Sequence, residues 1–239
     1  MRRSLVLSIV PLLLAAGCDK AKVIVEQPEP EPATTGASVD PLVEEQAVRE
    51  AVRRYAAALD ARDAEAASGS VDADTFVYYD DLRRAALRAD REALERWDLM
   101  SIILVLQIRS ALTRAELEQL DGRALFERAV TEGLVGEEVA AIELDEVWIA
   151  DDGARAEVRI EGEPVVWLRR DPLADPPQPW RVDIPESIRA LGPAIEAVVN
   201  DRVIADGKAR TAMTFVELST DRWLDVAILD GPLEQIGER

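Results

Sequence analysis

Apolar residues return every three or four positions from Val48 through Val52, Tyr55 and Leu59, and Ala56 widens the stripe. That period predicts an amphipathic helix with one side facing a core. Asp40-Pro41 stands before it as an N-cap and a proline at the first helical position, and Glu44 and Glu45 complement the helix dipole. The helix is expected to end between Asp60 and Asp63, with a short alanine-rich helix before Gly69. Thr75-Phe76-Val77-Tyr78-Tyr79 is β-prone and predicts a short strand or an extended entry. Asp80 or Asp81 then supplies the N-cap and first-turn carboxylates of a second helical region carrying Leu82, Ala86, Leu87 and Leu94. From Leu99 to Ile108 only Ser101 and Gln107 are polar, which predicts the most buried helix of the molecule. Arg96 and Asp98 precede this run and Arg109 closes it, leaving it too short to span a bilayer. Thr113-Arg114-Ala115-Glu116 has the form of a capping box opening a helix to Leu120. Another helix runs from Arg123 to Thr131 and stops at Gly133.

After Ala141 the period shortens to two. Ile142, Leu144 and Trp148 interleave with Glu143 and Asp145, and Asp151-Asp152-Gly153 marks a hairpin turn. That triplet lacks the further oxygens of a calcium loop. Ala154, Ala156, Val158 and Ile160 alternate with Arg155, Glu157 and Arg159, a strand with one buried and one wet face. Glu161-Gly162-Glu163-Pro164 turns the chain into Val165-Val166-Trp167-Leu168. Beyond a proline-rich stretch from Asp171 to Pro179, Trp180, Val182 and Ile184 alternate with Arg181 and Asp183. Trp148, Trp167 and Trp180 are expected in the core, and Arg159 and Asp183 on the wet face. Helices followed by a short-looped antiparallel meander make an α+β fold with a four-stranded sheet. A helix from Glu186 to Asp206, broken around Gly192-Pro193, and shorter helices at Thr211 to Leu218 and Asp221 to Leu229 complete the chain.

The N-terminal segment has a different pattern. Arg2 and Arg3 precede an apolar stretch from Leu5 to Leu14, and Ala15, Ala16 and Gly17 lead into Cys18. A basic start, a short apolar region and small residues are the marks of a secretory signal peptide. Ten helical residues cover about 15 Å, half of a hydrocarbon core of about 30 Å, so the stretch is no membrane span. Leu14-Ala15-Ala16-Gly17-Cys18 resembles the bacterial lipobox. The resemblance implies cleavage between Gly17 and Cys18, diacylglyceryl transfer to the Cys18 thiol and N-acylation with a fatty acid such as palmitate. It places the protein in the cell envelope, membrane-anchored and facing the periplasm. Asp19 resembles the inner-membrane retention signal of enteric bacteria. Residues 1–17 are then the signal peptide. Residues 18–39 are the lipidated cysteine and a tether that Pro28, Glu29, Pro30, Glu31 and Pro32 keep extended. Residues 40–187 form the α+β domain, and 188–239 a helical extension packed on it.

Charge and composition narrow the chemistry. The 239 residues carry 28 Lys+Arg against 47 Asp+Glu, a net charge of -19. No nucleic-acid partner is expected, because phosphates require a basic face. The sequence contains no histidine and Cys18 is its one cysteine, which excludes histidine-dependent triads, His-ligated metals and an intramolecular disulfide. No cofactor and no metal are expected.

A long first helix, further helices, and a sheet closing on Trp180-Arg181-Val182-Asp183-Ile184 resemble the nuclear transport factor 2-like superfamily over residues 40–187. The resemblance implies a curled sheet wrapping the first helix into a cone whose wide end can hold a pocket. The superfamily includes ketosteroid isomerase-like, polyketide cyclase-like and epoxide hydrolase-like enzymes beside many non-enzymatic members. Without histidine, catalysis there needs a carboxylate base with a tyrosine or second acid polarising an oxygen. Tyr78, Asp80, Asp81 and Asp183 are the candidates, with Arg159 as a counter-charge. Helix capping and solvated strand faces account for the same residues without chemistry. The expected function is a lipid-anchored, non-catalytic binding or scaffold module for a protein or small-molecule partner. A cofactor-free isomerase, dehydratase or hydrolase is the alternative.

Overall fold

The computed structural model describes residues 40–135, 144–173, 179–198, 207–220 and 222–232. The signal, lipidation and tether expectations, Gly17 and Cys18 included, lie outside these residues, as does Ile142. The first helix, α1 (Pro41–Asp60), starts as its sequence predicts: Asp40 accepts from the Leu42 amide at 3.0 Å and Pro41 opens the first turn. Val48, Val52, Tyr55, Ala56 and Leu59 are buried along it. The short helix α2 (Ala64–Ser68) follows, capped by Asp63.

The predicted strand at Thr75 to Tyr79 is helical instead. Helix α3 (Ala73–Arg88) runs straight through it, capped by Asp72 rather than by Asp80 or Asp81. Thr75, Tyr79, Leu82 and Ala86 are all buried, and their spacing of four, three and four is the period of a packed helix face. Tertiary burial therefore outweighs the modest β preference of aromatic and β-branched residues. Asp80 and Asp81 sit in the middle of the helix. A one-turn helix, α4 (Arg91–Leu94), is capped by Asp90.

Helix α5 (Leu99–Ala111) is the buried helix the sequence predicts, capped by Asp98. It packs against α3, against α8 (Ile184–Val198), against α9 (Lys208–Thr220) and against the 3-10 turn Val226–Leu229, so apolar residues are needed nearly all round it. Arg109, read from sequence as the polar end of this run, has no exposed surface. Thr113 and Glu116 form the expected capping box at α6 (Arg114–Gln119). Helix α7 (Gly122–Glu132) ends at Gly133, whose φ of 69° is left-handed. Its start crosses α3 so closely that a Cβ on Gly122 would lie 2.0 Å from the Phe76 carbonyl oxygen.

The sheet is antiparallel in the order β1 (Glu146–Ile149), β2 (Arg155–Ile160), β3 (Glu163–Arg170) and β4 (Trp180–Val182), and it is not closed. Glu161 and Gly162, both with positive φ, form the two-residue β2–β3 loop, the backbone such hairpins prefer. Ala156, Val158, Val166, Leu168, Trp180 and Val182 are buried. Helix α1 contacts both edge strands, β1 and β4, while α8 contacts β3.

Two expected core tryptophans point elsewhere. Trp148 pairs with Glu157, which pairs with Trp167, so all three share the face opposite Ala156 and Leu168. Trp148 is 43% exposed and Trp167 half-buried. In β1 it is Val147 and Ile149 that pack against the core.

The C-terminal part differs from expectation in extent. Strand β4 stops at Val182, and α8 begins at Ile184 and continues through Pro193. Residues 199–206, where the expected helix continues, lie outside the described set. Helix α9 is longer than predicted, and of the predicted helix at Asp221 to Leu229 the described residues, from 222 on, form only the 3-10 turn.

Candidate functional site

Asp183 lies far from its expected place on the wet face of a strand. The strand alternation ends at Val182, so Asp183 leaves the wet face and caps α8, accepting from the Glu186 amide at 3.0 Å. It is 2% exposed. Asp72, the cap of α3, lies nearby because Val71 and Val182 form a parallel bridge. The Asp72 amide donates to the Val182 carbonyl at 3.0 Å, and the Val182 amide donates to the Ser70 carbonyl at 2.9 Å.

Arg169 on β3 connects the two caps. Its Nε lies 2.6 Å from Asp183 Oδ2 and 3.7 Å from Asp72 Oδ2, and its Nη1 lies 2.7 Å from Asp74 Oδ2. The Asp183 and Asp72 side chains are deep, whereas Arg169 and Asp74 open to solvent. Burial and the neighbouring Asp183 charge push the Asp72 carboxyl above the usual carboxylate range, against the Thr75 hydrogen bonds and Arg169. Burial also works against the Arg169 charge, but Asp183, Asp72 and Asp74 outweigh it and hold its pKa above the usual guanidinium value. A carboxylate with raised proton affinity beside a second carboxylate is the raw material of acid–base chemistry.

The other predicted candidates do not join this cluster. The Tyr78 hydroxyl lies 2.9 Å from Ser101 Oγ, and Ser101 Oγ donates to Asp98 Oδ2 at 2.6 Å. Burial pushes the Tyr78 hydroxyl far up, so it stays protonated in a closed chain at the α5 cap. Asp80 pairs with Arg83 at 2.8 Å and with Arg84, and Asp81 pairs with Arg84 at 3.2 Å. Burial works upward on the Asp80 carboxyl, but Arg83 and Arg84 outweigh it and hold it below the usual range. Arg159 pairs with Glu157 on its own strand at 2.8 Å and lies over Trp148.

Sequence reasoning missed Asp72, Asp74 and Arg169. An aspartate three residues before Thr75 is a cap signal for Asp72, but nothing local to Arg169 reports that it meets residues about a hundred positions away.

Two cavities stand out among the described residues, and neither is lined by this cluster. One, of about 20 Å³ between Tyr79, Leu104, Ile108 and Arg128, has room for about one water molecule. The other is a shallow, open cleft of about 360 Å³ along Asp81, Arg84, Arg88 and Trp97. Among the described residues no group of three His, Cys, Asp or Glu side chains is arranged to hold a metal ion. No protein-family model, curated protein or solved structure matches the chain.

Proposed function

We propose that the protein is a lipid-anchored envelope protein whose domain works as a non-catalytic binding or scaffold module, built on a nuclear transport factor 2-like frame. The observation that carries this reading is the commitment of its polar groups. Asp72 and Asp183 cap helices, Asp80 and Asp81 hold arginines of their own helix, and Tyr78 closes a hydrogen-bonded chain. The core face of the sheet is filled by Trp180, Leu168, Val166 and Val182 rather than shaped into a polar pocket. Contact of α1 with both edge strands supports the frame, and the lone cysteine behind Leu14-Ala15-Ala16-Gly17 supports the anchor. The partner, a protein or a small molecule, is met at the surface.

Acid–base catalysis is the competing reading, and the Asp72–Asp183 pair is the observation in its favour. Asn keeps the capping oxygen and removes the proton acceptor. Rescue of a gene-deletion phenotype by Asp72→Asn and Asp183→Asn, each folded and at wild-type level, is the expected result. A general base would lose about 10²- to 10⁴-fold in rate. Failed rescue with an unchanged melting temperature and intact membrane attachment would replace the module with an enzyme.

A further inference from the structure

The Val71–Val182 bridge sets the start of α3 beside the start of α8 and brings two carboxylates to one guanidinium nitrogen. Asp183 takes the close position at 2.6 Å. Asp72 Oδ2, at 3.7 Å, is buried and has no hydrogen-bond partner among the described residues. The other oxygen of Asp72 is fully engaged, accepting from the Thr75 amide at 3.1 Å and the Thr75 hydroxyl at 3.0 Å. An ionised oxygen buried without a donor is costly. A proton on Oδ2 removes that cost and the repulsion from Asp183, and leaves the capping oxygen in place.

The charged groups acting on Asp72 are Asp183 at the β4–α8 junction and Arg169 on β3. Asp74, on the same helix, shares Arg169. We infer that Asp72 is the proton-binding half of a clasp between the helices and the sheet, and that mild acidification tightens the joint of α3, β4 and α8.

The folded state binds this proton more tightly than the unfolded chain does. Stability therefore rises as pH falls from neutral through the raised folded value of Asp72, and the gain is complete below its unfolded value. Asp80 and Glu116 act in a different window. Their carboxyls are held below the usual range, so their contribution is lost only as pH falls below the ordinary carboxylate value.

Denaturant unfolding of the full chain between about pH 7 and about pH 4.5 tests the clasp, because one proton taken up on folding changes the folded-to-unfolded ratio by up to about tenfold per pH unit. The acidic molecule as a whole is also relieved of self-repulsion in this range, so the comparison variant must lose one charge as well. Asp81→Asn removes a negative charge from the same helix away from the clasp and is expected to keep the wild-type slope. Asp72→Asn is expected to show a shallower one. Equal slopes in the two variants would overturn the proposal. Should Asp72→Asn fail to fold, the carboxyl carbon shift of Asp72 in the wild-type protein decides. A midpoint above the other aspartates supports the clasp, and one at or below the ordinary aspartate value overturns it.

Discussion

A guanidinium without exposed surface normally has a carboxylate partner, and among the described residues Arg109 forms no ion pair, with Asp230 acting on it only through its charge. Its Nε donates to the Ala86 carbonyl at 2.8 Å, Nη2 to Ala85 at 2.9 Å and also to Ala89, and Nη1 to Ile228 at 2.7 Å. Ala85 and Ala86 lie in the last turn of α3 and Ala89 just beyond it, where the dipole favours a cation; the Ala85 carbonyl also accepts from the Ala89 amide at 2.9 Å. Burial pushes the Arg109 pKa down to about 10, so the charge persists at neutral pH. Removing the side chain would leave several carbonyls buried and unmet. Arg109→Leu is expected to destabilise by about 3 kcal/mol or more, at about 1–3 kcal/mol for each carbonyl left buried without a donor. Arg109→Lys is expected to fall between Leu and wild type, because an ammonium cannot reproduce the planar fork. Denaturant unfolding checks both, and a Lys variant no better than Leu would show that charge contributes nothing there.

At the scale of elements, the α3–α7 crossing depends on one missing methyl group. A Cβ on Gly122 would meet the Phe76 carbonyl oxygen at 2.0 Å and the Asp80 amide nitrogen at 2.6 Å, both backbone atoms that cannot swing aside. Gly122→Ala is therefore expected to cost at least about 2–3 kcal/mol through forced separation of the helices. Gly153→Ala, whose Cβ meets nothing within 4 Å, should cost only the backbone strain of a positive φ, about 1–2 kcal/mol. Thermal unfolding of the two variants compares crowding with strain directly.

Sequence reading succeeded for elements whose signals are local: Asp40-Pro41, the Thr113–Glu116 box, Gly133 and the apolar run of α5. It failed where a neighbour decides. Thr75 to Tyr79 is helical because Tyr79 packs edge-on against Phe126 of α7 at 5.1 Å, a contact no propensity contains. In Val165-Val166-Trp167-Leu168 every residue is apolar, so alternation could not say which pair faces inward, and Trp167 took the outer side. The Asp72–Arg169–Asp183 cluster is assembled from three separated stretches of chain and has no local pattern at all.

For the whole molecule, the acidic surplus is partly architectural. Asp40, Asp63, Asp72, Asp90, Asp98 and Asp121 each cap a described helix, and Asp225 caps the 3-10 turn. Replacing acids at random by alanine would thus remove helix starts as well as charge, at about 1 kcal/mol per cap, whereas Asn would keep the starts. The surplus also leaves little electrostatic attraction to anionic lipid headgroups, so the proposed membrane attachment rests on the acyl chains of the lipoprotein reading. No described helix is long and apolar enough to cross a bilayer. Cys18→Ser is expected to leave the precursor unprocessed or to release the protein into the soluble fraction. A processed, membrane-bound Cys18→Ser protein in fractionation would end the lipoprotein reading.

The bond from Arg109 to Ile228 spans 119 positions of chain. At ribosomal rates of about 5–20 residues per second, the acceptor emerges roughly 6 to 24 seconds after the donor. Through that interval Nη1 of the guanidinium lacks its native acceptor. The helices can form and pack early, but the last bond of Arg109 waits for the far end of the chain. For the proposed lipoprotein, which would cross a membrane as an unfolded thread, a late-closing contact of this kind would be an advantage, and it follows from where a single buried arginine finds its last carbonyl.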